Sequence, residues 1–286
     1  MAASGTFGYG QEYASLIDNS ILGALITKGI SLLPSAGNPV PRIVETPSGM
    51  LNAIGLQNIG FEVFIAEKMP LLRTGSTPVV VNFYGNTVEQ YVELAERLST
   101  VEGIAALEAN ISCPNIAQGG ISFGTDARMA GEITARIRSV TRLPLIVKLT
   151  PNVADIALIA RSVEQGGADA VSLINTLTGM VIDPATRRPV LANITGGLSG
   201  PAIRPIAVRM VWQVCQAVRI PVIGLGGIMT ANDALQFLIA GACAVQVGTG
   251  LFVDPTIPAN IVAGIEAYMS EHGFERLEQV IGSLMV

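Results

Sequence analysis

Cys113 stands in the decapeptide Ala106-Leu-Glu-Ala-Asn-Ile-Ser-Cys-Pro-Asn115, where a short apolar run gives way to an Asn/Ser/Cys/Pro/Asn cluster. A structural cysteine is usually embedded in apolar neighbours, whereas a thiol in a polar turn at the end of an extended segment is placed for chemistry. A thiol of ordinary pKa about 8.5 serves as a general base near neutral pH once a polar or cationic site favours its thiolate. The decapeptide therefore reads as the active-site edge of an enzyme, with Asn110 and Asn115 delivered to the same point.

Other polar residues recur where apolar runs end: Lys28, Asn82, Asn110, Lys148 and Asn175. Each alone could be a strand-terminating residue, but five together point to one shared mouth. Lys148 lies inside an otherwise apolar run, where an unpaired ammonium is costly, so it should face an anion. A reduced flavin, negative at N1 and the adjacent carbonyl, would be stabilised by such a cation. The alternative is an ion pair, for which no strand-end carboxylate stands out. Gly224-Leu-Gly-Gly227 and Gly248-Thr-Gly250 each precede a helix-compatible segment, the usual setting for a phosphate held by backbone N–H groups. They identify a phosphate and not a reaction. Asn52-Ala-Ile-Gly-Leu-Gln-Asn58 lies in a long connection; its amides suit a planar amide or imide, and Gly55 permits close backbone approach, although an ordinary turn fits as well.

The elements that must position these residues are short, nearly continuous apolar runs at 24–28, 78–82, 106–110, 145–149, 170–175, 221–225 and 244–247, as expected of parallel strands covered on both faces. Between them, helical periodicity spans 88–98, 127–140, 156–166, 203–218 and 232–240. With a stub at Ala2 to Ser4 the strands number eight, which predicts a (β/α)8 barrel with its site at the C-terminal strand ends; an open doubly wound sheet is the alternative. No linker divides the chain, so a single domain over 1–286 is expected.

Half of the 286 residues are hydrophobic and 14% are charged, which excludes disorder. The net charge of -5 and the lack of any Lys/Arg run give no footprint for nucleic acid or an anionic membrane surface. The uncharged stretch 234–253 is broken by Gly241, Gly248 and Gly250, so it reads as helix, turn and strand and not as a membrane span. Met-Ala-Ala-Ser-Gly is no secretory leader, and the three cysteines form neither a disulfide framework nor a metal site, so the cytoplasm is the expected compartment. Cys215 and Cys243 are expected in the core.

Taken together, Ala3-Ser-Gly5, Leu51-Asn-Ala-Ile-Gly-Leu-Gln-Asn58, Asn110-Ile-Ser-Cys-Pro-Asn115, Gly197-Leu-Ser-Gly200 and Gly224-Leu-Gly-Gly227 resemble the class 1 dihydroorotate dehydrogenases, FMN enzymes of pyrimidine biosynthesis. The likeness covers nearly the whole chain. Its wording, with Val147-Lys-Leu-Thr-Pro-Asn152, is most similar to the catalytic subunit of the NAD-dependent class 1B type, which works with a subunit carrying FAD and a [2Fe-2S] cluster. The resemblance implies a homodimer within a heterotetramer. It implies Cys113 as the base that takes a proton from C5 of dihydroorotate while hydride passes from C6 to flavin N5; class 2 relatives use serine there. Asn52, Ala53, Ile54, Gly55, Leu56, Asn110, Asn175 and Thr176 would hold dihydroorotate or orotate, with Lys28 between substrate and flavin. Ser4, Lys28, Asn82, Asn110, Lys148, Ile174 and Gly200 would bind FMN, and Gly226, Gly227, Gly248 and Thr249 would surround its phosphate. The segment Ile116 to Phe123, with Gly119-Gly120, is expected to act as a lid.

Relatives carry further residues before Ala-Ser-Gly, so a chain starting at Met1 is expected to have a truncated first strand, the recorded sequence beginning too late. Competing readings are a fumarate-reducing class 1A enzyme, a dihydropyrimidine dehydrogenase, and a flavin-free phosphate-binding lyase or isomerase; the last explains the glycine loops but not the ordered Asn/Cys/Asn cluster.

Overall fold

The computed structural model describes residues 1–112, 114–115 and 121–285. Cys113, the expected base, and residues 116–120 of the expected lid lie outside the described residues.

Seven strands form one parallel sheet: β1 (Leu25–Ile26), β2 (Val79–Phe83), β3 (Ile104–Asn110), β4 (Leu145–Lys148), β5 (Ala170–Leu173), β6 (Val222–Leu225) and β7 (Ala244–Gln246). Their order in the sheet is their order in the chain, with no reversal point, which rules out a doubly wound arrangement. Ala2 bridges in parallel both to Leu25 and to Val247, and so joins the two edges. The Ala3 N–H donates to Val247 O at 2.8 Å and the Ile26 N–H to Ala2 O at 3.3 Å. The expected eighth strand is thus one bridged residue, and through it the parallel sheet closes on itself.

Because strand side chains alternate in direction, each apolar run serves two layers. Leu25, Val81, Leu107, Val147 and Val171 point outward and join the large core beneath the helices. Ile26, Val80, Ala106, Ile146 and Ile223 point inward and fill the ring as a second, separate cluster. Burying each large aliphatic side chain stabilises by roughly 1.5–3 kcal/mol. Two residues further along, the inward face turns polar on every strand except β6, where Leu225 follows Ile223: Lys28, Asn82, Glu108, Lys148, Ser172 and Gln246 follow Ile26, Val80, Ala106, Ile146, Ala170 and Ala244. The apolar plug therefore ends at a polar floor.

The helices that cover the sheet are α1 (Val88–Ser99), α2 (Ala127–Arg138), α3 (Ile156–Gln165), α4 (Arg204–Cys215), α5 (Ala231–Ile239) and α6 (Ile257–Glu271). The starts of four are fixed by side chains that accept an otherwise unpaired N–H: Thr87 from Gln90, Asp126 from Met129, Asp155 from Leu158, and Thr230 from Asp233. Tyr91, Leu94, Ala95 and Leu98, spaced three and four apart, make the buried stripe of α1.

A four-stranded antiparallel sheet stands over the C-terminal end of the ring, in the order Leu177–Gly179, Gly196–Ser199, Gly49–Asn52, Ile43–Thr46. It is not legible in the hydrophobic pattern, because its strands are short and partly exposed and three of the four carry glycine. The cysteines need correcting too: Cys243 is exposed and Cys215 only half-buried. Both close the helix side of the sheet near Gly241, whose hypothetical Cβ would lie 2.9 Å from Cys215 Sγ. Burial, with Cys243 beside it, pushes the Cys215 thiol up to about 12, so it is inert.

Candidate active site

A cavity of about 840 Å³ opens where the parallel strands end, floored by the polar layer and walled on one side by the antiparallel sheet. Each strand end contributes. Lys28 follows β1, Asn82 lies on β2, Asn110 closes β3, Lys148 closes β4, and Ile174, Asn175 and Thr176 follow β5. Gly226 and Gly227 follow β6, Gly248 and Thr249 follow β7, and Ser4 follows the Ala2 bridge. Asn52, Ala53, Ile54, Gly55, Leu56 and Gly200 line the wall. The residues expected to hold cofactor or substrate therefore all border one space.

The amides at the mouth are already organised. Asn110 Oδ1 accepts from the Ser112 N–H at 3.2 Å and from Asn175 Nδ2 at 3.4 Å, and Asn175 Nδ2 also donates to Ser112 Oγ at 3.0 Å. The Thr176 N–H donates to Asn175 Oδ1 at 2.9 Å, and the Tyr91 hydroxyl holds Asn110 O at 2.5 Å. These contacts fix which amide atoms remain free to face a ligand, and they end directly before position 113.

The 52–58 wall is built on backbone that only certain residues tolerate. Gly55 has φ +75°, and a Cβ there would lie 2.6 Å from the Asn38 backbone N. Leu56 adopts φ 56°, a strained value for a branched residue at the cavity rim. Asn58, grouped with Asn52 by sequence, does not reach the cavity: its amide takes the N–H groups of Ser31 and Gly60 and donates to Tyr84, Ser31 and Leu56. It shapes the loop and leaves Asn52 to line the space.

The glycine loops differ in what they require. Gly227 has φ +71° and a Cβ would meet Gly200 O at 2.7 Å; Gly226 has φ +133° and would collide with Ala207 at 2.8 Å. Gly200 has φ +94° and is pressed against Gly49 at 2.8 Å. Gly248 has ordinary backbone and only van der Waals contact at 3.6 Å, so its conformation demands no glycine. Thr249 Oγ1 donates to Ser199 Oγ at 2.8 Å, tying the last strand to the wall. Arg204, beside Gly227, is paired with the nearly buried Asp233, which also accepts from the Met229 and Thr230 N–H groups.

Charge in the cavity is positive. Lys148 is 6% exposed, and among the described residues no carboxylate oxygen lies within 4.0 Å of its ammonium. Burial lowers the Lys28 pKa below its ordinary 10.5, with the nearby Arg42 guanidinium acting the same way and Glu12 opposing. The buried carboxylate that the sequence does contain, Glu108, is one step deeper on β3 and is held by neutral donors. Its signal was the one that marked Lys148, a charge inside an apolar run. Ser112, Thr150, Asn152, Ser199, Arg42 and Thr195 also line the cavity without standing out in the sequence. Among the described residues no cluster of His, Cys, Asp and Glu could hold a metal, and no helix is long and apolar enough to cross a membrane.

A concave site at the C-terminal ends of parallel strands, with two amides locked together, a buried cation unpaired among the described residues and a glycine cradle, can be matched to known proteins. The family model for dihydroorotate dehydrogenase matches residues 1–269. A protein of Geotalea daltonii is 60% identical over 286 residues, covering all of this chain and 94% of that protein. One from Geotalea uraniireducens is 61% identical over 285 residues, covering all of this chain and 93% of the relative, and one from Pelobacter propionicus is 59% identical over 284, with 99% and 93% covered. All three are described as the catalytic subunit of dihydroorotate dehydrogenase B (NAD(+)). The family match and the relatives' coverage both span the strand ends that build the cavity, and the chain accordingly belongs to the dihydroorotate dehydrogenase family.

Proposed function

We propose that the chain is the catalytic subunit of an NAD-dependent dihydroorotate dehydrogenase, a single FMN-binding domain over 1–286 that oxidises (S)-dihydroorotate to orotate in the cytoplasm, in de novo pyrimidine (UMP) biosynthesis. The observation that carries it is the meeting, in one cavity, of a buried Lys148 unpaired among the described residues, a glycine cradle at 200, 226 and 227, and the Asn110–Asn175 pair. Together these fit an anionic, phosphorylated, amide-bearing cofactor with a small planar substrate beside it.

FMN bound there would supply a two-electron acceptor at N5. Lys148 sets a cation where negative charge accumulates on reduction. Ser4, Lys28, Asn82, Asn110, Ile174 and Gly200 would hold the ring system, and Gly226, Gly227, Gly248 and Thr249 would offer backbone and hydroxyl donors to the phosphate. Asn52 to Leu56, Asn175 and Thr176 hold the substrate, and Lys28 pairs with its carboxylate. Cys113, following directly on Asn110 and Ser112, takes the C5 proton as general base, a role worth roughly 10²–10⁴ in rate.

Electrons leave through a partner subunit carrying FAD and a [2Fe-2S] cluster to NAD, in a heterotetramer built on a homodimer of this chain. The NAD(+) in the relatives' description favours this over fumarate as acceptor. The test is to denature the purified protein, identify the released cofactor, and assay NAD reduction with and without the co-expressed partner. One equivalent of FMN and partner-dependent NADH formation are expected; a colourless protein, or fumarate reduction by the chain alone, would refute the reading.

A further inference from the structure

The floor of the cavity holds a fully buried glutamate that the reaction outlined above does not use. Glu108 lies on the inward face of β3, two residues below Asn110, and three neutral donors from three other strands converge on it. Asn82 Nδ2 of β2 donates to Oε1 at 2.7 Å, while Ser172 Oγ of β5 and Gln246 Nε2 of β7 donate to Oε2 at 2.8 and 3.0 Å.

Such a carboxylate dictates the orientation of the amides around it, because it only accepts. Gln246 shows this: it gives Nε2 to Glu108 although its own Oε1 is left buried with no hydrogen-bond partner among the described residues. Asn82 is governed in the same way but borders the cavity. With Nδ2 committed to Glu108, the atom it has left for a ligand is Oδ1, which lies on the Gly29 side, 2.8 Å from where a Cβ at Gly29 would be. The cavity thus receives an acceptor at this point, suited to a ligand ring N–H; an isoalloxazine carries an imide N–H in both redox states.

We infer that Glu108 is a positioning residue that acts through Asn82, fixing its amide so that the carbonyl, and not the NH₂, faces the bound ring. The inference rests on the flavin reading of the cavity. In Glu108→Gln the carbonyl keeps the Oε2 position, where Ser172 and Gln246 both donate, so the introduced NH₂ takes the Oε1 position and meets Asn82 Nδ2, donor against donor; the Asn82 amide relieves the conflict by turning over, which puts its NH₂ against the ring donor. Adding Asn82→Asp repairs the network. The introduced carboxylate accepts from the introduced amide and keeps its second oxygen toward the cavity, while Ser172 and Gln246 still find an acceptor.

The experiment is titration of FMN into apoprotein, followed by quenching of flavin fluorescence, with FMN-free melting curves recorded alongside. Glu108→Gln should weaken FMN binding by at least about tenfold, equivalent to 1.4 kcal/mol, and the Asn82→Asp/Glu108→Gln double variant should recover most of that loss. A Glu108 of merely structural importance would give no recovery. Unchanged affinity in Glu108→Gln, or a double variant that binds no more tightly than the single, overturns the inference, as does a double variant that fails to fold. Should Glu108→Gln itself not fold, Asn82→Asp takes its place: it sets carboxylate against carboxylate, must bind FMN more weakly than the double variant, and overturns the inference if it does not. Native apoprotein that takes up no FMN at all would overturn the flavin reading itself, and the inference with it.

Discussion

Replacing Lys148 by methionine should move two measurements in opposite directions. The side chain is almost completely buried, lines the cavity and has no carboxylate partner within 4.0 Å among the described residues. In the FMN-free protein an ammonium so placed pays desolvation without a compensating pair. A methionine of similar length removes that cost, so the midpoint of urea unfolding of FMN-free protein should stay the same or rise. With FMN bound the sign reverses, because the cation favours the reduced, anionic ring over the oxidised one. At contact distance of roughly 4 Å and an effective dielectric of about 20, one such charge pair is worth about 4 kcal/mol. For a two-electron couple about 30 mV corresponds to 1.4 kcal/mol, so the midpoint potential should fall by up to about 90 mV. Spectroelectrochemical titration against a reference dye reads this directly. A potential unchanged within roughly 15 mV, or an FMN-free protein destabilised by more than about 2 kcal/mol, would refute the reasoning, since either result means that Lys148 is paired within the fold and not aimed at a cofactor.

Further outcomes follow from the same geometry. The pKa of Lys28 in the folded protein is lowered below 10.5, so between that value and 10.5 the unfolded chain binds more protons and this group's contribution to stability rises with pH. An anionic ligand binds the protonated form. Orotate affinity, read from perturbation of the flavin spectrum, should therefore be full below the lowered pKa and decline as pH rises through it, beginning below pH 10.5; in Lys28→Arg that decline should vanish. Gly227→Ala places a Cβ 2.7 Å from Gly200 O at φ +71°; it should weaken FMN binding by more than about tenfold, in keeping with roughly 1–3 kcal/mol of local strain, and equal affinity by titration would remove Gly227 from the cradle. Asp155→Ala removes the N-cap of α3, a residue that does not line the cavity, and should cost about 1 kcal/mol of unfolding free energy with turnover unchanged in steady-state assay.

The parts of the fold that could be read from sequence are those where one physical requirement dominates. Strands buried on both faces must be apolar throughout, so 78–82 and 145–149 announce Val79–Phe83 and Leu145–Lys148. A polar residue closing such a run has to meet something, which is why Lys28, Asn82, Asn110, Lys148 and Asn175 can be gathered at one mouth from sequence alone. The antiparallel sheet carries no such requirement. Gly196 to Ser199 is half-exposed, and what fixes it is long-range pairing with Gly49–Asn52 and Leu177–Gly179. Asn58 could not be told from Asn52, because an asparagine that faces a ligand and one that saturates its own loop look alike in sequence. Glu108 was visible as a charge inside an apolar run, but only its three donors reveal that it is satisfied and what it orients.

The central claim, that this cavity oxidises dihydroorotate on FMN with Cys113 as base, is tested most directly by anaerobic rapid mixing of the FMN-loaded protein with dihydroorotate. The native protein should lose its yellow flavin absorbance within a single turnover, and Cys113→Ala, with FMN still bound, should do so roughly 10²–10⁴-fold more slowly. Flavin that stays oxidised in the native protein, or bleaching at the native rate in Cys113→Ala, would contradict it.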